Sequence, residues 1–289
     1  MILIDGKQTS LDIQQEIAEE VKYLKSKGKK TPHLSAILVG NNGASKTYVN
    51  AKVKACDRVG FESSLIKLPD TISEKELLKK IEVLNQDENV DGFIVQLPLP
   101  DHISEKKVTQ AVAPHKDVDG FHPANIGKMV LNLPTFLPAT PFGIMQLLER
   151  YNIETSGKHC VVVGRSNIVG MPMSVLMARN SSPGNCTVTL THSRTVNLKE
   201  ITQTADILVV ALGKPEFITA DMVKDNVVVI DVGITRVADK TKKSGYRLLG
   251  DVEFEGVSNK ASFITPVPGG VGPMTIASLL KNTLLASKD

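Results

Sequence analysis

Apolar positions along the chain fall into short continuous runs that alternate with longer stretches at helical spacing. Ile13, Ile17, Val21 and Leu24 are four, four and three residues apart, so Leu11 to Lys27 is predicted to be a helix that stops at Gly28. His33 to Val39 is an apolar run of buried-strand length ended by Gly40. Ala44 to Arg58 returns to helical spacing before Gly60, and Ser63 to Leu68 reads as a strand. Ser73 with Glu76 three residues later is a capping box that opens the next helix. Gly92 to Leu97 is another buried strand. This βαβα order favours a parallel sheet with helices on its faces.

Residues 98 to 141 break the pattern with Pro98, Pro100, Pro114, Pro123, Pro134, Pro138 and Pro141. So many prolines exclude one long helix or a central strand. The segment reads as a connection between two lobes that also lines the space between them. Alternation restarts with strand-like runs at His159 to Val163, Thr187 to Leu190, Ile207 to Ala211, Val227 to Asp231 and Ser262 to Thr265. Helical stretches lie at Pro172 to Asn180, Leu198 to Thr204, Ala220 to Lys224 and Met274 to Ala286.

Composition narrows the class. The 289 residues suit about two domains. With 42% hydrophobic and 22% charged residues the chain has the makings of a large core. The formal charge of +3 does not suggest a dedicated nucleic-acid binder, but leaves room for a local basic pocket. No apolar run reaches membrane-spanning length, so no membrane association is expected. The N-terminal residues read as folded chain, not a targeting signal. Cys56, Cys160 and Cys186 are odd in number and not at CxxC spacing, which indicates neither a disulfide framework nor a zinc site and fits a reducing cytoplasm. Cys160, inside an apolar run, reads as a buried small hydrophobe.

The segment KHCVVVGRSNIVGMPMSVLMARN carries the clearest chemical signal. A buried strand ends at Gly164, a loop follows, and a helix opens near Met171 with Pro172 in its first turn, where proline is favourable. Such a unit aims helix amides at an anion, usually a phosphate. Gly164 and Gly170 do not make a GxGxxG pattern, and a glycine loop after a strand is often only a tight turn. The next strand ends in His192, Ser193 and Arg194, where an NAD site usually carries a carboxylate for the ribose 2′-hydroxyl. Hydroxyl and guanidinium groups there, with Arg165 in the glycine loop, suit a 2′-phosphate and favour NADP over NAD. Each arginine alone is equally consistent with a solvated surface charge. Gly213, with Lys214 and Pro215, and Gly233 end later strands, where backbone would approach the nicotinamide half or simply turn.

In the first half, Ser45, Tyr48 and Lys52 are three and four apart and share one helix face. Tyr and Lys one turn apart form a proton-transfer pair if burial lowers the lysine pKa, and a surface contact otherwise. Gln96, at the carboxyl end of a buried strand, faces the ligand side. Asp119 could accept a bidentate hydrogen bond from an amidine-like edge, or could form an Asx turn before Gly120. Asp117 and Asp119 have no matching ligand cluster, so no metal is expected, and His115 and His122 read as turn or surface residues.

The segments VGNNGASKTYVNAKVKAC, VQLPLP, KDVDGFHPANIGKM, PATPFGI, VVVGRSNIVGMP, THSRT, IDVGI, GDV and ITPVPGGVGPMT span residues 39 to 275. Together and in this order they resemble the bifunctional methylenetetrahydrofolate dehydrogenase/methenyltetrahydrofolate cyclohydrolase family. The resemblance implies an α/β protein of two lobes with a cleft between them. An N-terminal three-layer lobe (residues 1–138, completed by a C-terminal helix at 271–289) would bind tetrahydrofolate derivatives, and a Rossmann-type lobe (139–270) would bind NADP. It implies oxidation of 5,10-methylenetetrahydrofolate, then hydrolysis to 10-formyltetrahydrofolate. Lys52 would be the central acid/base, Tyr48 would orient the folate, Gln96 would tune Lys52, and Asp119 would anchor the pterin. Leu97 and Pro98 would line the folate site, and Pro268, Gly269 and Gly270 would border the folate and nicotinamide pocket. Gly164, Arg165, Ser166 and Ile168 would form the cofactor loop, Ser193 and Arg194 would join Arg165 at the 2′-phosphate, and Ile234 would lie beside the nicotinamide amide. A homodimer paired through the cofactor lobe is also implied. One variation is Ala139 in PATP, where some relatives have Cys.

Two other functions compete. An NADP-dependent dehydrogenase of another small substrate, in the manner of shikimate or amino-acid dehydrogenases, explains residues 158–235 equally well, but leaves Tyr48, Lys52, Gln96 and Asp119 without a joint role. A nucleotide-sensing regulator would bind NADP without turnover.

Overall fold

The computed structural model describes residues 1–242 and 245–288. Residues 11–139 and 276–289 group into one compact unit, and residues 1–10 and 140–275 into another.

The unit of residues 11–139 is built on three parallel strands: β2 (His33–Val39), β3 (Glu62–Leu68) and β4 (Gly92–Val95), in the order β3–β2–β4. Alternate residues of β2 point to opposite faces. Ile37 and Val39, with Phe93 and Val95 of β4, form a core with Leu77, Ile81 and Leu84 of α3 (Glu74–Gln86) and Val108 of α4 (Glu105–Ala111). The alternate set, Leu34, Ala36 and Leu38, is buried too, as a sheet covered on both faces requires. The helix α2 (Gly43–Val59) packs on β2 and β3. Each fully buried aliphatic side chain contributes about 1.5–3 kcal/mol of transfer free energy. The predicted capping box of α3 forms: Ser73 Oγ accepts the Glu76 amide, and the Glu76 carboxylate accepts the Ser73 amide. The buried stripe Ile13, Ile17 and Val21 explains the first helix, which starts earlier than its spacing indicates: α1 is Gly6–Ser26, with the Asp5 carboxylate accepting the Gln8 amide at its start.

The proline-rich segment is more than a connection. It folds into α4 and α5 (Pro123–Val130) and supplies Leu99, Ile103, Val108 and Val112 to the core. The prolines allow this because none lies in a helix interior: Pro123 opens α5, where His122 Nδ1 accepts the Ala124 amide as its cap, and Pro141 sits in the first turn of the helix that follows. The helix α6 (Ala139–Arg150) begins at the segment's end. In the last helix, α10 (Val271–Ala286), Asn282 Nδ2 donates to the carbonyls of Val118 and Leu137.

The other unit holds a six-stranded sheet in the order β1–β11–β8–β7–β5–β6, parallel throughout. Its strands are β1 (Ile2–Leu3), β5 (His159–Val163), β6 (Thr187–Thr191), β7 (Ile207–Val210), β8 (Val228–Asp231) and β11 (Phe263–Ile264). Helix α7 (Gly170–Ala178) links β5 to β6, and α8 (Leu198–Thr202) carries the chain back to β7 on the other side of β5. That reversal makes the carboxyl ends of β5 and β7 a topological switch point, where open α/β sheets bind ligands. A hairpin of β9 (Thr235–Ala238) and β10 (Tyr246–Leu249) and a short α9 (Phe254–Ser258) complete the unit. The first ten residues, expected with the N-terminal lobe, group here because β1 pairs with β11. The helix expected at Ala220–Lys224 is only a 3₁₀ turn, Ala220–Met222. Among the described residues no helix is long and apolar enough to cross a membrane. The three cysteines are free and buried.

Candidate active site

The inward stripe of α2 passes through Val49, Lys52 and Cys56, all buried. Helical spacing therefore carries the Lys52 ammonium into the protein, and the side chain is only 7% exposed. Its Nζ donates to Gln96 Oε1 at 3.2 Å. Gln96 is held in turn: its amide donates to Ile37 O, continuing the ladder past β4, and its Nε2 donates to Leu97 O at 2.7 Å, which presents Oε1 to the lysine. Burial pulls the Lys52 pKa below the ordinary lysine value, and the nearby Asp119 carboxylate opposes that fall in part. Asp119 is half-buried; burial raises its pKa, and Lys52 opposes the rise. The Cys56 thiol is pushed up to about 12 by burial, so it stays neutral beside the amine. A lysine moved towards neutrality, paired with an amide oxygen, is equipped to take up and release a proton. Tyr48, one turn before Lys52, is 36% exposed on α2.

Asp119 stands in a turn closed by another carboxylate. Asp117 Oδ1 accepts the Phe121 amide, and its Oδ2 accepts the His122 amide and Asn125 Nδ2 at 2.7 and 2.8 Å. The Asp117 backbone carbonyl accepts the Gly120 amide. Burial outweighs these bonds and raises the Asp117 pKa to about 6. Gly120 has φ +75°, and a Cβ there would lie 2.6 Å from the Leu137 carbonyl carbon, so the turn needs glycine. The Asx-turn role thus belongs to Asp117, and Asp119 keeps its carboxylate for another donor. Leu97 is half-buried and Pro98 exposed, directly after Gln96.

The glycine loop of the other unit follows β5. Gly164 has φ +117°, and a Cβ there would meet Ala211 O at 2.2 Å; one on Gly170 would meet Gly164 O at 1.9 Å. The two glycines let the loop fold against β7 and let α7 start directly behind it. Ser166 Oγ accepts the amides of Val169 and Gly170 at the helix start. Arg165, Ser166 and Ile168 are exposed. Val163 pairs with Thr191, so the loops that begin at Gly164 and His192 run side by side. The second is a tight turn in which the His192 amide donates to Thr195 Oγ1 and His192 Nδ1 accepts the Arg194 amide, leaving Ser193 and Arg194 exposed. Neither loop carries a carboxylate. Close backbone approach, helix amides and exposed guanidinium groups fit a dinucleotide with a phosphorylated ribose.

Ile234 is 44% exposed beyond β8. After β11, Pro268 is exposed, Gly269 O accepts the Lys7 amide, and Gly270 packs so close to Gly6 that a Cβ on Gly6 would fall 1.9 Å from its carbonyl oxygen. The structure therefore joins Lys52, Gln96 and Asp119 around one amine, and sets Gly164–Ile168, Ser193–Arg194, Ile234 and Pro268–Gly270 at carboxyl ends of one sheet. Sequence reasoning gave no role to Asp231 and Asp251, both buried. For Asp231 the available signal was an acidic residue ending an otherwise apolar strand; Asp251 carried none.

The tetrahydrofolate dehydrogenase/cyclohydrolase family matches in two parts, its catalytic domain over residues 4–119 and its NAD(P)-binding domain over residues 138–289. A bifunctional protein FolD from Cytophaga hutchinsonii is 68% identical over 99% of each chain. The crystal structure of the FolD dehydrogenase/cyclohydrolase from Campylobacter jejuni is 48% identical, with a TM-score of 0.93 over 100% of this chain and 99% of its own. The Trypanosoma brucei dehydrogenase-cyclohydrolase, solved with NADP and an inhibitor, is 39% identical, with a TM-score of 0.94 over 100% and 97%. The match to the catalytic domain covers Tyr48, Lys52, Gln96 and Asp119, which a dehydrogenase of another substrate leaves unexplained. The chain belongs to the tetrahydrofolate dehydrogenase/cyclohydrolase family.

Proposed function

We propose that this protein oxidises 5,10-methylenetetrahydrofolate to 5,10-methenyltetrahydrofolate with NADP⁺ and hydrolyses the product to 10-formyltetrahydrofolate. The observation that carries this reading is the buried Lys52 amine on Gln96 Oε1, within the stretch that matches the family's catalytic domain. When bound, NADP⁺ supplies the hydride acceptor for the first reaction, and its binding sets the geometry. Arg165, Ser193 and Arg194 hold the 2′-phosphate. Gly164, Ser166 and Ile168 line the pyrophosphate side, and Ile234 the nicotinamide side. Tyr48, Leu97 and Pro98 border the folate, Asp119 accepts the N–H edge of the pterin, and Pro268–Gly270 border the nicotinamide.

The hydrolysis needs proton movement. Water attacks the methenyl carbon and loses one proton to Lys52 Nζ, leaving a neutral carbinolamine. As the carbon–N5 bond breaks, Nζ returns that proton to N5 and the hydroxyl releases its own proton to solvent to become the formyl C=O, so one proton leaves per turnover. Gln96 keeps the amine aimed, and burial keeps its pKa low enough for both transfers. The unit of residues 11–139 and 276–289 serves the folate and that of residues 1–10 and 140–275 serves NADP; the enzyme works as a homodimer paired through the NADP-binding part, in the cytoplasm. The test is an absorbance assay of purified protein with 5,10-methylenetetrahydrofolate and NADP⁺. NADPH appearing with 10-formyltetrahydrofolate as the end product supports the proposal. Folded protein that binds NADP⁺ and makes no NADPH refutes it.

A further inference from the structure

Two loops beyond the switch point are held from beneath by a pair of buried carboxylates. Leu212 and Gly213 follow β7, and Gly233 and Ile234 follow β8, its neighbour. Asp251 Oδ2 accepts the amides of Leu212 and Gly213 at 2.6 and 2.8 Å. Asp231 Oδ1 accepts the amides of Gly233 and Asp251 at 2.9 and 3.0 Å, and its Oδ2 accepts the Val252 amide at 3.0 Å. Asp231 thus fixes the backbone that carries Asp251, and Asp251 fixes the β7 loop. Two glycines make room: a Cβ on Gly250 would lie 1.9 Å from Asp231 Oδ2, and one on Gly233 would lie 2.4 Å from Asp251 Oδ1.

The arrangement is costly as plain architecture. Asp251 is fully buried, and its Oδ1 has no hydrogen-bond partner. A buried acceptor left unmade costs free energy that a smaller or apolar residue would avoid. What it secures is the placement of two backbone loops at carboxyl ends of adjacent strands, where a dinucleotide's reactive end lies in this kind of sheet.

We infer that Asp251, braced by Asp231, is a positioning residue for the oxidation: it sets Leu212–Gly213 against the nicotinamide end of NADP, beside the Gly233 loop that Asp231 holds, and has no part in the hydrolysis. This rests on the proposed function and adds residues to it. Hydride transfer is sensitive to small displacements, whereas the grip on the 2′-phosphate comes from Arg165 and Ser193, on the separate loops after β5 and β6.

The test compares Asp251→Ala and Asp251→Asn with wild type in three assays: dehydrogenase steady state, hydrolysis of supplied 5,10-methenyltetrahydrofolate without NADP, and the fluorescence of bound NADPH. For Asp251→Ala the expected result is a dehydrogenase kcat at least tenfold lower, a KM for NADP⁺ within threefold, and hydrolysis within twofold of wild type. Asp251→Asn keeps a carbonyl oxygen for both amides and recovers most of kcat. Bound-NADPH fluorescence changes in the Ala variant and returns in the Asn variant, which reads the nicotinamide environment without turnover. The inference is overturned by an Ala variant with unchanged kcat, by equal loss of both activities, or by an Asn variant as impaired as Ala. Should the Ala variant not fold, Gly233→Ala displaces Asp251 by pushing on its carboxylate and its backbone amide, with the same split between activities expected and an equal loss of both overturning the inference. Wild-type protein without dehydrogenase activity would instead refute the proposed function, and the fluorescence comparison would still decide whether the carboxylate shapes the site.

Discussion

Replacing Gly170 by alanine tests how closely the nucleotide loop and α7 must approach. The new Cβ would stand 1.9 Å from Gly164 O, 2.6 Å from its carbonyl carbon and 3.0 Å from Arg165 Cα. Backbone atoms cannot rotate away, so α7 or the loop must retreat by about 1 Å before the contact becomes tolerable. Overpacking of this kind typically costs about 1–3 kcal/mol of stability. Its effect on chemistry is larger, because a misplacement of about 1 Å in a positioned reactant costs on the order of 100-fold in rate. The expected result is a folded variant whose dehydrogenase kcat/KM for NADP⁺ falls about 100-fold. Hydrolysis of supplied 5,10-methenyltetrahydrofolate stays within about twofold, since Lys52, Gln96 and Asp119 belong to the other unit. Circular dichroism and a thermal melt establish folding, and the two activities are measured separately. A folded variant whose dehydrogenase activity is within twofold of wild type would refute the reasoning.

Two further outcomes follow from charge. Arg165→Ala removes charge-assisted donors worth about 1.5–3 kcal/mol in favourable geometry, so kcat/KM for NADP⁺ should fall roughly 10- to 150-fold while that for NAD⁺ changes little; an unchanged preference for NADP⁺ would remove Arg165 from the 2′-phosphate. Asp119→Asn deletes the negative charge that raises the Lys52 pKa against the pull of burial. The Lys52 pKa must then fall further, and the limb of the hydrolysis pH profile that reports it should move to lower pH; a limb that stays or moves up contradicts the coupling.

Much of this was legible in residue spacing. The runs ending at Val39, Val163 and Asp231 are strands because short buried segments in a parallel sheet must be apolar on both faces. Ser73 and Glu76 announced their helix through a local hydrogen-bond pattern that needs no tertiary context. Lys52 was harder: a Tyr and a Lys one turn apart look the same on a solvated helix, and only the burial of Val49 and Cys56 on the same stripe distinguishes the cases. The prolines from 98 to 141 were read as excluding one long helix or a central strand and as a connection; the short helices α4 and α5 were not seen, although Pro123 sits in a helix's first turn, where its missing amide costs nothing. Strand β1, of two residues, has no periodicity to read and exists through its pairing with β11. The shared role of Asp231 and Asp251 was illegible because their partners are backbone amides, which no side-chain pattern records, even though Asp231 stands out as an acid at the end of an apolar strand.

The central claim is that the buried Lys52 amine moves protons for the hydrolysis and takes no part in the hydride step. Lys52→Met keeps an unbranched side chain in the buried position while removing the amine. The most direct measurement follows NADPH and 5,10-methenyltetrahydrofolate absorbance together, from 5,10-methylenetetrahydrofolate and NADP⁺, for wild type and this variant. The account predicts that wild type forms NADPH with little methenyl-folate accumulating, whereas the variant still forms NADPH and accumulates methenyl-folate in step with it, beyond the uncatalysed hydrolysis. A folded Lys52→Met protein that clears methenyl-folate as fast as wild type would contradict it.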